Sequence, residues 1–290
     1  MARKKTSLKK EPSENPLISN LKLRQIYTKI VEARFFDQHL AKLQRDIKPT
    51  KRWTILGQEA CRVSALIDLE PGDLISDMAI TPVTELILGA EVGRLLKHLA
   101  SGTRTERRVA AQPDNIARQL PAVTDPKERL EIAMGAALAL KTAKQGKIVV
   151  AFVGHREMGG SKWQKVLTLA RQLELPMIFV VLPSLARKDK TSRMMVCDKA
   201  RRAEMPGIPA DSADAVALYR IIQESLGRTR AGDGPVLIEC LTYKLPGQRS
   251  NHDDPIGQMK KSLLERGISN RAALDAASKR FLYRLNRPRR

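Results

Sequence analysis

The sequence predicts an α/β domain: a mostly parallel sheet flanked by helices, with helical segments near its N- and C-terminal ends. Three observations carry that prediction. The apolar run Ile148-Val149-Val150-Ala151-Phe152-Val153 leads into Gly154, further glycines at Gly159 and Gly160, a helical stretch to Leu173 and a second apolar run from Met177 to Leu182. A β-rich run, glycine, an amphipathic helix and a second β-rich run form a βαβ unit, whose crossover makes both strands parallel. A further helix-to-strand unit runs from Asp214 through the turn Ala231-Gly232-Asp233-Gly234 into a strand over Pro235–Leu241. Helical periodicity then marks both ends, over Leu23 to Phe35 and over Ile256–Arg266 and Arg271–Leu285.

Taken in order, residues 1–19 hold Lys, Ser, Glu, Asn and two prolines without periodicity, and read as a mobile basic arm. Leu23, Ile26, Tyr27, Ile30 and Val31 recur at helical spacing, giving an amphipathic helix to about Arg45, with Pro49 beyond its end. Gly57-Gln58-Glu59-Ala60 opens a second helix to about Asp68, Pro71-Gly72-Asp73 is a turn, and Leu74-Ile75-Ser76 reads as a short strand. Pro82 suits a first helical turn, and Val83, Leu86, Ile87, Leu95, Leu96 and Leu99 give one inner side as far as Ser101-Gly102. Residues 103–124 are polar and Arg-rich, the signature of a long loop. The helix beginning at Pro126 is apolar on nearly every side over Ala133 to Leu140, which predicts burial between layers. Leu185 to Arg202 is basic and reads as a solvated loop, with an anion site as the alternative. This gives one domain over 20–285 and a basic tail at 286–290.

At 290 residues the chain can bury a large core, and 42% hydrophobic with 29% charged residues is ordinary for a globular protein. Its charge is not: 52 Lys and Arg against 31 Asp and Glu give +21, which favours either a solvated basic surface or an acidic partner or polyanion. An aromatic content of 4% leaves few base-stacking platforms and argues against a single-strand binder that works by stacking. Cys61, Cys197 and Cys240 are far apart, odd in number and without C-x-x-C spacing, as expected of reduced packing residues in a cytoplasmic protein. The basic N-terminus is not followed by a signal-peptide core, and no apolar run approaches membrane-spanning length.

Three segments bear a resemblance to a known family. Leu23 to Phe36 with Leu56-Gly57-Gln58-Glu59-Ala60, Gly154 through Leu175-Pro176-Met177-Ile178-Phe179-Val180, and Asp211-Ser212-Ala213-Asp214 with Arg230-Ala231-Gly232-Asp233-Gly234-Pro235-Val236-Leu237-Ile238-Glu239 and Leu241-Thr242-Tyr243-Lys244 carry it. Together they resemble the alpha subunit of the thiamine-diphosphate-dependent 2-oxo acid dehydrogenases, the pyruvate and branched-chain 2-oxo acid dehydrogenases. The resemblance implies the thiamine-diphosphate-binding fold, oligomers with a beta subunit, and a diphosphate held through magnesium.

Carried over residue by residue, the implied site is altered. The family's Gly-Asp-Gly falls on Gly154, His155 and Arg156, and its Asn-Asn pair on Pro183 and Ser184. Its Tyr-Arg falls near Met78-Ala79, its Gly-Ile-Val-Gly on Thr124-Asp125-Pro126-Lys127 and its active-site histidine on Gln248, with His252 nearby. Gly154, His155, Arg156, Ser184 and Gln248 are thus the positional candidates for cofactor binding, with no residue left for a catalytic role. Magnesium wants oxygen ligands in near-octahedral geometry, and an imidazole is a poor substitute for a carboxylate. The expectation is a retired metal site with the cofactor not retained, or a direct phosphate site made by the cationic side chains at a glycine turn. No nucleophile elbow, His/Cys metal cluster or Walker-type loop replaces the lost residues. Three functions stay open: a noncatalytic alpha-like subunit beside a beta-like partner or a second copy, a working alpha subunit in oxidative decarboxylation of a 2-oxo acid, and a basic polyanion-binding protein.

Overall fold

The computed structural model describes residues 17–43, 54–78, 81–121, 123, 125–155, 157–158, 162–183, 195–242 and 254–286, except 101–117. Helix α1 (Asn20–Leu43) precedes α2 (Glu59–Leu66) and the short strand β1 (Leu74–Ser76). Then come α3 (Pro82–Ile87), α4 (Val92–Ala100), β2 (Arg118–Gln119), α5 (Pro126–Thr142), β3 (Val149–Gly154), α6 (Lys162–Gln172) and β4 (Met177–Leu182). Helix α7 (Met195–Arg202), β5 (Gly207–Asp211), α8 (Ala215–Ala231), β6 (Val236–Leu241), α9 (Pro255–Glu265) and α10 (Arg271–Asn286) complete the chain.

The six strands form one sheet in the order β2-β1-β3-β4-β6-β5, and every pairing is parallel. Side chains alternate across a strand. Along β3 this sends Val150 and Phe152 into a core shared with α1, α2, α8, α9 and α10, and Val149, Ala151 and Val153 into a second core with α5, α6 and α7. The α/β sheet flanked by helices, with helices at both ends, is therefore present, as is the β3-α6-β4 crossover. The chain order steps outward from β1 to β2, then returns to β3 and proceeds the other way, so the β1/β3 boundary is a topological switch point. Ligands of open parallel sheets bind outside the carboxyl ends of the strands at such a boundary.

Several sequence expectations need correction. The basic stretch read as a loop to Arg202 ends in α7, because Val196, Ala200 and Ala203 recur at helical spacing and are buried, while Lys199, Arg201 and Arg202 lie in the last turn, where cations suit the helix dipole. The inner side predicted from Pro82 to Leu99 belongs to two helices, divided at Leu88–Glu91, where Gly89 takes φ 104°. Helix α5 is not enclosed: Leu130, Ala133, Met134 and Ala137 face the sheet, but Gly135 and Ala139 are exposed and Leu138 is 43% exposed. Strand β2, inside the predicted long loop, pairs with β1 through Arg118 N–H to Asp73 O and Leu120 N–H to Ile75 O. Strand β5 went unread because Gly207-Ile208-Pro209-Ala210-Asp211 is short and contains proline, which an edge strand tolerates. The three cysteines are free and buried. No described helix is long and apolar enough to cross a membrane. Of the arm proposed at 1–19, residues 17–19 are described, and Ile18 is buried in the core rather than part of an arm. Residues 1–16, the predicted helix end near Arg45, most of the 103–124 loop and residues 287–290 of the proposed tail lie outside the described residues, while Asn286 closes α10.

Candidate functional site

The site begins where β3 ends. Gly154 is the last residue of the strand, in register with Leu182 of β4. A β-carbon at Gly154 would come within 3.3 Å of Met78 Sδ and 3.5 Å of Glu157 Cδ, so the backbone there is closely approached by the chain leaving β1. His155 follows, its N–H donating to Leu182 O, and its imidazole lies over the end of the sheet on the α7 side. The other three positional candidates, Arg156, Ser184 and Gln248, lie outside the described residues, as does His252. Structure thus places two of the five predicted residues together and describes Pro183 as buried after β4.

What the sequence did not single out is the set of charged groups around them. Glu239 is the one charged residue of β6, with its side chain fully buried. Its Oε1 accepts from His155 Nε2 at 3.2 Å and its Oε2 from Cys197 N–H at 2.9 Å, which ties β3, β6 and α7 together. Burial alone would raise the Glu239 carboxyl, but the hydrogen bonds from His155 and Cys197 together bring it below its ordinary value. Burial, then the adjacent Glu239, push the Cys197 thiol up to about 12, so this cysteine is inert as a nucleophile near neutrality.

On the same face, α5 delivers Arg129. Asp125 caps the helix by accepting from Lys127 N–H and Glu128 N–H, which fixes its first turn, and Arg129 follows on the buried side. Arg129 Nη2 donates to Glu157 Oε2 at 3.0 Å, and the same oxygen accepts from Gly154 N–H at 2.9 Å. Beyond the opposite face, the buried Arg62 of α2 pairs with Asp77 just after β1 and stacks over the Phe152 ring at 4.9 Å from its centroid. In the Gln-Glu segment that the sequence singled out, buried Glu59 pairs with Arg34 and accepts from Gly57 N–H at 2.9 Å, while Arg34 also meets Asp254 at 3.0 Å. Burial raises the Glu59 carboxyl, and Arg34 opposes that rise.

These contacts decide how the residues fit a magnesium-bound diphosphate. At the position where the resemblance implies an aspartate, His155 presents a nitrogen already committed to Glu239. Both oxygens of Glu239 and one of Glu157 are taken by internal donors. Pro183 supplies no side-chain oxygen, and Asp125 is committed to its helix cap. Among the described residues no group of three His, Cys, Asp or Glu side chains is placed to hold a metal ion. The described donors do not make a magnesium site. A sequence signal for Glu239 did exist: a lone carboxylate in the otherwise apolar Val236–Leu241, a residue type seldom buried without a partner. Arg129 gave a similar signal, a cation at a core-facing position of α5.

Comparison with known proteins places these elements. The chain is 29% identical over 238 residues to the 3-methyl-2-oxobutanoate dehydrogenase subunit alpha of Mycobacterium tuberculosis, covering 80% of this chain and 63% of that protein. It is 25% identical over 245 residues to the pyruvate dehydrogenase E1 component subunit alpha of Staphylococcus aureus, covering 83% and 65%. With the chloroplastic pyruvate dehydrogenase E1 component subunit alpha-3 of Oryza sativa the identity is 27% over 183 residues, 53% of this chain and 43% of that one. The matches therefore span less than two thirds of the length of these relatives. The family model of the dehydrogenase E1 component matches residues 27–266, which hold all six described strands and most of the helices, and the chain belongs to that family.

Proposed function

We propose that this protein is a noncatalytic alpha-like subunit of the dehydrogenase E1 type, one that keeps the fold for assembly and does not hold thiamine diphosphate through magnesium. The observation that carries the reading is the engagement of His155 with buried Glu239, at the position where the resemblance implies a metal-binding aspartate. A working site would need free oxygen ligands beside Gly154, and there both oxygens of Glu239 and one of Glu157 are engaged by internal donors. The assembly part of the reading draws on the outer side of the α5 and α6 layer, where Leu138, Leu169 and Leu173 are substantially exposed. Leucines exposed on the outside of a helical layer offer apolar surface that a protein partner would cover. That partner is a beta-subunit-like protein or a second copy of this chain, and the +21 charge favours an acidic one.

The test is thermal. A ligand at a hundredfold excess over its Kd stabilises the native state by about 2.7 kcal/mol. The full chain should show no rise in Tm with thiamine diphosphate and magnesium together beyond that with magnesium alone. A clear rise that needs both would overturn the reading and favour a working alpha subunit in 2-oxo acid decarboxylation.

A further inference from the structure

The β1/β3 crevice carries two donors that meet at one oxygen, with further polar groups nearby. Successive backbone N–H groups of a strand point to opposite neighbours. Since His155 N–H reaches Leu182 O on β4, Gly154 N–H is turned toward the β1 side. Strand β1 has already ended there, because its last residue, Ser76, lies opposite Ala151. The N–H of Gly154 therefore points into the crevice, where Glu157 Oε2 accepts it at 2.9 Å. Arg129 Nη2 donates to the same oxygen at 3.0 Å from the α5 side.

Two more polar groups on that side have no hydrogen-bond partner among the described residues. One is Nε of Arg129, whose side chain is 2% exposed, and the other is the buried hydroxyl of Ser76. Leu74, two residues before Ser76, packs into the α5–α6–α7 core, so alternation puts the Ser76 hydroxyl on the same face as α5. A buried guanidinium, a strand-end N–H and a buried hydroxyl are an anion's donor set, larger than one carboxylate uses. Glu157 itself is only partly enclosed, at 22% side-chain exposure, and it belongs to the turn that follows β3.

We propose that Glu157 is a built-in occupant of an anion site, its carboxylate standing where an oxygen of a phosphate or diphosphate would otherwise be held without metal by Gly154 N–H and Arg129. This deepens the noncatalytic reading, since a chain that supplies its own anion keeps the crevice closed to an external one. The wild-type protein is then indifferent to phosphate, and removing one carboxylate opens the site.

The experiment uses the full chain in EDTA, with inorganic pyrophosphate as probe and sodium chloride of equal ionic strength as control. Glu157→Ala should melt below wild type, because Arg129 loses its counter-charge. Pyrophosphate at a hundredfold excess over its Kd should then raise its Tm by on the order of 5 °C. Wild type and the double variant Glu157→Ala/Arg129→Met should not respond. Glu157→Gln, which keeps an acceptor for Gly154 N–H but drops the charge, guards against a misfolded alanine variant and should show a smaller rise. No rise in either single variant, or an equal rise in wild type or in the double variant, overturns the proposal. Because magnesium and thiamine are absent, failure here leaves the cofactor test of the preceding subsection untouched, and the reverse holds too.

Discussion

Replacing His155 by alanine should destabilise the protein in a way that depends on pH, because the imidazole answers a carboxylate that water does not reach. Glu239 has 0% side-chain exposure and His155 has 29%. With the imidazole gone, Glu239 Oε1 loses the partner it had at 3.2 Å, while Oε2 keeps Cys197 N–H. A buried acceptor left without its donor costs about 1–3 kcal/mol. The partial exposure of His155 lets water approach once the ring is removed, which puts the expected loss in the lower half of that range, about 1–2 kcal/mol at pH 7. The pH dependence follows from the direction of the shift. Burial raises the carboxyl, but the bonds from His155 and Cys197 set it net below the ordinary value of 4.5. A carboxylate lowered in the folded state contributes stability above its unfolded pKa, and that contribution is lost as pH falls through the folded value. In the variant burial meets weaker opposition, so Glu239 takes up a proton more readily, and the gap to wild type narrows as pH falls through the carboxylate range. Urea unfolding followed by circular dichroism at several pH values measures this, with His155→Gln alongside, whose amide N–H should recover part of the loss. A gap below about 0.5 kcal/mol at pH 7, the size of an ordinary surface substitution, or one that widens as pH falls through the carboxylate range, refutes the assignment of His155 as the partner of Glu239.

Two further outcomes test the frame around the site. Asp77→Ala leaves the guanidinium of Arg62, 4% exposed, without its carboxylate, and should cost about 3–5 kcal/mol in denaturant unfolding, whereas Arg62→Met/Asp77→Leu should regain most of it. Gly207→Ala would drive a β-carbon to 2.8 Å from the carbonyl oxygen and 3.0 Å from Cα of Cys197, both backbone, so α7 must move off β5; a loss of about 1–3 kcal/mol is expected, with faster exchange of the Cys197 amide hydrogen.

Much of the fold was legible because its strands announce themselves. The strands β3, β4 and β6 are apolar runs bounded by glycine or proline, and the caps of α5 and α8 fall on Asp125 and Asp214, residues whose side chains accept the first free N–H groups. What escaped was short or disguised by charge: β2 has two residues, β5 carries Pro209, and α7 hides its apolar stripe among cations. The site was legible as a position and not as a network. Gly154 and His155 are marked by their place after an apolar strand, but nothing local in sequence says that His155 will meet Glu239, 84 residues on, or that Arg129 will meet Glu157 across 28. Such pairings are set by strand order and by which sheet face a residue takes, and those are properties of the assembled sheet.

The two-sided packing of β3 and β4 has a consequence for how such a chain can change over time. Phe152, Ile178 and Val180 belong to one apolar layer and Val153, Phe179 and Val181 to the other, and all six are fully buried. The residues that distinguish the candidate site come after the last of these, where the strands run out into turns. Substitutions there leave both layers intact, so their cost is confined to the hydrogen bonds and ion pairs at the rim, and the sheet itself tolerates a change of residue at the strand ends.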